Sequence, residues 1–450
     1  MRTSGPTSGS GSPRTSTGRC ERLSDIWSVN DHLEDILAAV RPLEPIELQL
    51  LDAHGCVLAE DVTVPIALPP FDNSSMDGYA VRSADLRGCD HSAPARLVVT
   101  GEVVAGTGDP PVVGPGQSVR IMTGGPVPQG ADAIVPVEWT DGGSGHGPAE
   151  TMAPGSVAYG QVQVFRAPEP GQYIRPRGSD IAAGSVALTA GTLIGAPQVG
   201  LLAGIGRAFV RVRPRPRVVV VSTGSELVRP GDELGPGRIY DSNSFTLSAA
   251  AKEAGAVVYR VSAVADDARA LRTVLEDQLI RADLIVTSGG VSVGAHDVVK
   301  EALSNLGRTP GHVDFRRVAM QPGKPQGFGV LGEARIPLLA LPGNPVSSYV
   351  SFEVFVRPAL RRMSGLPNPF RPGVRATLEG DGPRSSPPGK RQFLRGVHDS
   401  YRRTVRPVGG SGSHLTGALA HADALIVVPE HTTEITPGDE LDVVLLDTPV

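Results

Sequence analysis

From Val218 onward the chain alternates between two kinds of apolar spacing. Val218 to Val221 is an unbroken β-branched run, the pattern of a strand buried on both faces. Phe245 to Glu253 reads as a helix and Ala256 to Val261 as the next strand. From Ala268 to Ile280, Leu271, Val274, Leu275 and Leu279 recur at helical intervals, which predicts a helix with one apolar stripe. Leu284 to Val286 is a second wholly apolar strand, with a helix expected over 297–306. Ile336 to Leu341 predicts a further strand, and Val346 to Leu360 a helix that stops near Gly365. Strand and helix taking turns in this way predict a parallel sheet with helices on both faces.

Either side of this region the pattern changes. Residues 1–22 are mostly Ser, Gly, Thr, Pro and Arg and read as a disordered tail. Ser28 is placed to cap a helix carrying Leu33, Ile36, Leu37 and Val40, ended by Pro42, and a second helix is expected over Ile46 to Leu51. Residues 69–166 are strand-rich and punctuated by Gly and Pro; within them Asp141 to Gly160 reads as a mobile loop rather than a site. The Arg213-Pro214-Arg215-Pro216-Arg217 run has extended character and reads as a linker. From Pro372 short strands return, predicting a small C-terminal β domain.

Composition narrows the function. The 450 residues carry a net charge of −5, which argues against a nucleic-acid binder because phosphate backbones demand a basic face. No apolar run reaches the roughly 20 residues that span a bilayer, and the N-terminus has no apolar core of a secretory signal. Cys20, Cys56 and Cys89 form no CxxC pair, which fits a reducing compartment and offers no zinc site. The expected location is the cytoplasm, with no membrane partner.

Three loops leave the C-terminal ends of the predicted strands, where open parallel sheets bind ligands. They are Ser222 to Leu227, Thr287 to Gly294, and Leu341 to Pro345. Their small residues, among them Gly289, Gly290, Ser292, Gly294, Gly343 and Asn344, let backbone N–H groups approach an anion. A phosphorylated small molecule is the expected ligand. Glu226, Asp266, Asp267 and Asp297 cluster with these loops, and carboxylates beside phosphate suit a bridging Mg²⁺. Asp266 and Asp297 are equally well placed as helix caps. Lys324, held between Pro322 and Pro325, is a candidate oxyanion contact. Outside this region Phe71 to Ala80 is too polar at its centre for a strand, and Asp77 stands out in it. Arg120 to Gly125 and Arg175 to Ile181 look like its companions.

Asn73-Ser74-Ser75-Met76-Asp77-Gly78-Tyr79-Ala80 resembles the signature of the MoeA family, molybdopterin molybdenumtransferases related to the E domain of gephyrin. The resemblance continues in order through Arg120–Gly125, Arg175–Ile181, Ser222–Leu227, Ile239–Asn243, Ser288–Gly294, Pro322–Pro325 and Pro342–Pro345. It implies an α/β multidomain protein. A discontinuous N-terminal dimerisation domain (23–67 and 168–213) would carry an inserted β-rich domain (68–167). A central parallel-sheet, MogA-like α/β domain (214–367) and a C-terminal β domain (368–450) would follow. The implied activity is insertion of molybdate into adenylylated molybdopterin with release of AMP, in the presence of Mg²⁺.

Residue by residue, the resemblance assigns catalytic roles to Asp77, Thr123, Asp180, Glu226 and Lys324, and the metal to Asp266 and Asp297. Ser347 would share molybdate with Lys324, and Arg391, Arg395 and Ser413 match cleft-facing positions. The implied partner is a second copy of the chain, its Asp77 face completing the site. A molybdopterin adenylyltransferase and acceptor molybdoenzymes are implied as well. Gln321 stands where the family often has Lys, which removes one positive charge from the expected oxyanion site. Two other readings stay open: a non-catalytic molybdopterin-binding scaffold, and an enzyme that adenylylates molybdopterin.

Overall fold

The computed structural model describes residues 26–153, 160–265, 267–290, 298–304 and 310–446. The tail expected over 1–22 lies outside the described residues. By internal contact the chain divides into two units: Met1–Arg41 with Pro216–Met363 and Asn368–Val450, and Pro42–Arg215 with Ser364–Pro367.

In the first unit Val29–Ala39 is a helix whose N-terminus is capped by Ser28. The Ser28 hydroxyl accepts from the Asp31 N–H at 3.0 Å and satisfies one of the donors left open by the first turn. The main sheet has six strands, in the order Val257–Val264, Arg217–Thr223, Leu284–Ser288, Ile336–Leu341, Pro325–Leu331 and Gly311–Arg317. Val218 to Val221 are all fully buried. Val219 and Val221 pack with Leu271, Leu275 and Val299 from the helices Ala268–Gln278 and Val298–Ser304. Val218 and Val220 alternate to the other side, where Asn243–Glu253 packs on the same strand and against the helix starting at Pro345. That helix runs through Pro345–Ser351, a π turn at Phe352–Val356, and Arg357–Met363.

The expectation of a parallel sheet is corrected at one edge. The first four strands are parallel, but Pro325–Leu331 runs antiparallel to both its neighbours. The link over 318–324 is too short for a helical crossover, so the chain has to return antiparallel. Glycine lets these strands close up. A Cβ on Gly329 would lie 1.9 Å from the His312 carbonyl oxygen, and one on Gly327 would lie 2.9 Å from Ala340 Cβ.

The end of this unit is a small barrel. Arg391–Asp399, Thr404–Pro407, Gly373–Leu378, Glu440–Leu445 and Ala424–Val428 pair in that order, and the last pairs back with the first. Closure leaves no open edge among these five strands. Leu378, Val405, Ile426 and Val443 fill the interior. Met320–Gln321 joins the barrel alongside Arg391–Gln392, so the main-sheet segment carrying Lys324 is tied to it.

In the second unit the helix expected over Ile46 to Leu51 is corrected: Ile46–Gln49 is a strand, antiparallel to Phe209–Arg213. Ile46 lies opposite Val212 and Leu48 opposite Val210. Alternate apolar residues meet a buried partner in this register, and pairing wins over the short helical spacing. A five-stranded sheet follows, in the order Ala133–Pro136, Gly78–Val81, Gln117–Ile121, Ala95–Val103 and Gln161–Val164. Asp141, at the start of the Gly-rich stretch, is buried and accepts from the backbone N–H groups of Gly143, Gly145 and Gln163. The described start of that stretch is therefore a fixed turn, and residues 154–159 lie outside the described residues. Among the described residues no helix is long and apolar enough to cross a membrane.

Candidate functional site

In the first unit a cavity of about 700 Å³ opens beyond the C-terminal ends of the parallel strands. Ser222 to Gly224 and Glu226 line it from the first glycine loop, Ser288 to Gly290 from the second, and Pro342 to Pro345 from the third. Leu227, Ile239 to Asn243, Pro325 and His414 complete the wall. Its size is that of a small-molecule or cofactor site.

Positive φ and close approach fix the second loop. Gly289 has φ +100°, and a Cβ there would lie 2.4 Å from the Thr223 carbonyl oxygen. Gly290 has φ +62°, and its Cβ would lie 2.5 Å from Val299 Cγ2. Side chains would strain the backbone at both positions and push the loops apart. Two polar residues then clamp the loops together. The Asp241 carboxylate is buried and accepts from the Ser222 hydroxyl at 3.0 Å, the Ser244 N–H at 3.0 Å and the Ser244 hydroxyl at 2.5 Å. The Asn243 amide donates to the Ser288 hydroxyl at 2.8 Å and to the Gly343 carbonyl at 2.7 Å, joining the second loop to the third. Sequence reasoning placed both in the Ile239–Asn243 motif but gave neither a role. The signal was present, since Asp-Ser-Asn ahead of a helix is an N-terminal capping pattern.

The sequence-derived residues fall into several groups. Glu226, Gly289, Gly290, Gly343 and Asn344 meet in the cavity, and the Glu226 side chain is exposed. Ser347 is buried in the first turn of the helix that leaves the third loop. Ser413 comes to the same turn, its carbonyl accepting from the Val346 N–H at 3.0 Å. Lys324 is half-buried, and its carbonyl accepts from the Val318 N–H at 2.7 Å; its neighbour Pro325 reaches the cavity. Arg391 donates to Asn30 Oδ1 at 2.9 Å and pairs with Glu430 at 2.9 Å. Arg395 is buried and donates to the Gly410 and Gly412 carbonyls. It lines a separate cavity of about 280 Å³ in the barrel, and burial lowers its pKa. Ser292, Gly294, Asp266 and Asp297 lie outside the described residues. Among the described residues no three His, Cys, Asp or Glu side chains gather as a metal site.

The second unit gathers the remaining set within itself. Asp77 Oδ1 accepts from both the Thr123 N–H at 2.6 Å and the Thr123 hydroxyl at 2.8 Å. Gly78 permits this turn, because a Cβ there would lie 2.0 Å from the Val135 carbonyl oxygen on the neighbouring strand. Asn73–Ser74 pairs with Ile174–Arg175, which brings in the third motif. Asp72 accepts from the Arg177 N–H at 2.6 Å, and Asp180 is exposed at the end of that loop. Asp77 and Thr123 are exposed as well. Behind them Arg120 is buried, its Nε 3.6 Å from Glu102, and burial pushes the Tyr79 hydroxyl up to about 12.

Molybdopterin molybdenumtransferase 2 of Mycobacterium tuberculosis is 44% identical to this chain over 418 residues, 92% of this chain and 98% of its own length. The chain belongs to the MoeA family. Molybdopterin molybdenumtransferase 1 of the same organism is 39% identical over 93% of this chain and 99% of its own. Family models match three successive stretches of the chain. The MoeA N-terminal region (domain I and II) matches residues 27–206, a probable molybdopterin binding domain matches 219–362, and the MoeA C-terminal region (domain IV) matches 381–446. A solved molybdopterin biosynthesis MoeA protein from Pyrococcus horikosii is 30% identical, with a TM-score of 0.75 over 94% of this chain and 100% of that one. The cavity lies inside the segment that matches the molybdopterin-binding model, and His414 reaches it from the segment matching the C-terminal one.

Proposed function

We propose that this member of the MoeA family is a molybdopterin molybdenumtransferase, which takes adenylylated molybdopterin and molybdate and yields molybdenum cofactor and AMP. One observation carries the reading: three glycine loops build a cavity within the stretch that matches a molybdopterin-binding domain. The Gly290 backbone N–H and the Ser288 hydroxyl suit the phosphoanhydride that links the adenylyl group to molybdopterin. Gly343 and Asn344, where a helix begins, add a favourable dipole to the same wall. Lys324 and Ser347 are assigned to molybdate, with Arg391, Arg395 and Ser413 supporting that side.

A bound Mg²⁺ would supply positive charge to offset that of the phosphoanhydride. Asp266 and Asp297 are its proposed ligands, their hard oxygens suiting this ion. Asp77, Thr123 and Asp180 act, on this reading, from a second copy of the chain in a homodimer. The enzyme would work in the cytoplasm, between the adenylyltransferase that supplies its substrate and the molybdoenzymes that accept its product.

The test is to incubate the full chain with adenylylated molybdopterin, molybdate and Mg²⁺. AMP release and a cofactor that activates an apo-molybdoenzyme are expected, and chelating the Mg²⁺ should stop both. Substrate binding without AMP release would instead identify a scaffold. Consumption of ATP with free molybdopterin would identify an adenylyltransferase.

A further inference from the structure

The wall of the main cavity poses a charge problem for an anionic ligand. It offers hydroxyls and backbone, yet among the described residues no lysine or arginine side chain lines it. Its titratable side chains are Glu226, Tyr240, Asp241 and His414. Asp241 is committed to Ser222 and Ser244, and the exposed Glu226 would repel an anion. Among these residues only His414 can bring positive charge to the wall. It is exposed, and it belongs to the barrel segment rather than to the α/β fold.

Its position is held by backbone. The Ser413 carbonyl accepts from the Val346 N–H at 3.0 Å, which fixes the residue before His414 on the helix leaving the third glycine loop. The His414 carbonyl in turn accepts from the Thr416 N–H at 2.9 Å, at the start of Thr416–Ala420. Gly412 leaves room for the ring, since a Cβ there would lie 3.1 Å from His414 Cε1. His414 therefore borders the cavity from a segment anchored on both sides of it.

We propose that His414 is an anion-binding residue of this cavity, its imidazolium contacting the phosphate of the adenylyl group. The proposal rests on the reading of the cavity as the site for adenylylated molybdopterin. An imidazole changes charge between about pH 5 and 8, so the contact makes anion affinity pH-dependent. The charged and titratable groups around it come from three elements. Glu226 follows the Arg217–Thr223 strand, Tyr240 and Asp241 precede the Asn243–Glu253 helix, and Arg395 of the barrel donates to the Gly412 carbonyl at 3.3 Å. None of these is an imidazole.

AMP alone, titrated calorimetrically into the full chain from about pH 5.5 to 8.5, tests the assignment in wild type, His414→Gln and His414→Lys. The AMP phosphate loses its second proton near pH 6, which strengthens binding with rising pH in every variant. The ratio of the His414→Gln constant to the wild-type one isolates the imidazole. That ratio should be about tenfold at the acid end and fall towards one at the alkaline end, while His414→Lys keeps about a tenfold advantage throughout. A flat ratio, or a lysine variant no tighter than the glutamine one, overturns the proposal. If wild type still releases AMP from adenylylated molybdopterin in that case, the functional reading stands without it. If wild type neither binds nor releases AMP, both fall together.

Discussion

His32 is an imidazole enclosed by apolar neighbours, 1% exposed, its ring edge-on to Phe355 at a centroid distance of 4.8 Å. Burial first, and the nearby Arg316 guanidinium second, lower its pKa from 6.5 to about 3. Arg316 is itself held by Asp35 at 2.5 Å and Asp314 at 3.0 Å. The sign of the consequence follows from linkage. A depressed folded-state pKa gives stability that is full above pH 6.5 and is lost as pH falls through about 3. Between pH 6.5 and 5 this one group should remove about 2 kcal/mol of stability. Urea unfolding at those two pH values should show that loss in wild type and a much smaller one in His32→Met. Equal losses in both would mean that His32 is not held neutral.

At the scale of elements, Gly327 and Gly329 let the antiparallel edge of the main sheet close up against its neighbours. Gly329→Val would drive a branched side chain into the His312 carbonyl and Val313 backbone. Overpacking of this kind costs about 1–3 kcal/mol, and backbone contact puts it at the upper end. A fall in thermal midpoint is expected, and an unchanged midpoint would contradict the pairing of Val313 with Gly329. The three ligand loops obey the same rule: their shape is set by what has no side chain, and then locked by Asp241 and Asn243.

At the scale of the molecule, the proposed site residues divide between two units, each gathering its own share. Glu226 and the glycine loops belong to one, and Asp77, Thr123 and Asp180 to the other. If the Asp77 set of one copy serves the cavity of a second, Asp77→Asn and Glu226→Gln variants should complement each other. Each variant alone would be inactive. In a random mixture, half of the dimers would hold one intact site, restoring about a quarter of wild-type AMP release. No recovery on co-expression would show that each chain works alone.

The elements most legible in the sequence are those whose stability is local or one-sided. Val218 to Val221 announces a strand buried on both faces, the Leu271–Leu279 stripe announces a helix, and Ser28 announces its cap, because each pattern is written within a few residues. The glycine loops are legible for the same reason: they follow apolar strands directly. Other features depended on partners far along the chain. Ile46–Gln49 became a strand because Phe209–Arg213 lies beside it, more than 150 residues away in sequence. Pro325–Leu331 found its place between two strands because Gly329 fits against the His312 and Val313 backbone and Gly327 against the Ala340 and Phe315 side chains, which no hydrophobic pattern records. The roles of Asn243 and His414 also emerged only once the loops had converged, since a clamp or a charge on a cavity wall has no meaning along a single strand. Local side-chain chemistry thus determined which elements form and which loops can cradle an anion. Tertiary pairing alone decided their register, their edges and the side chains that face one another across the cavity.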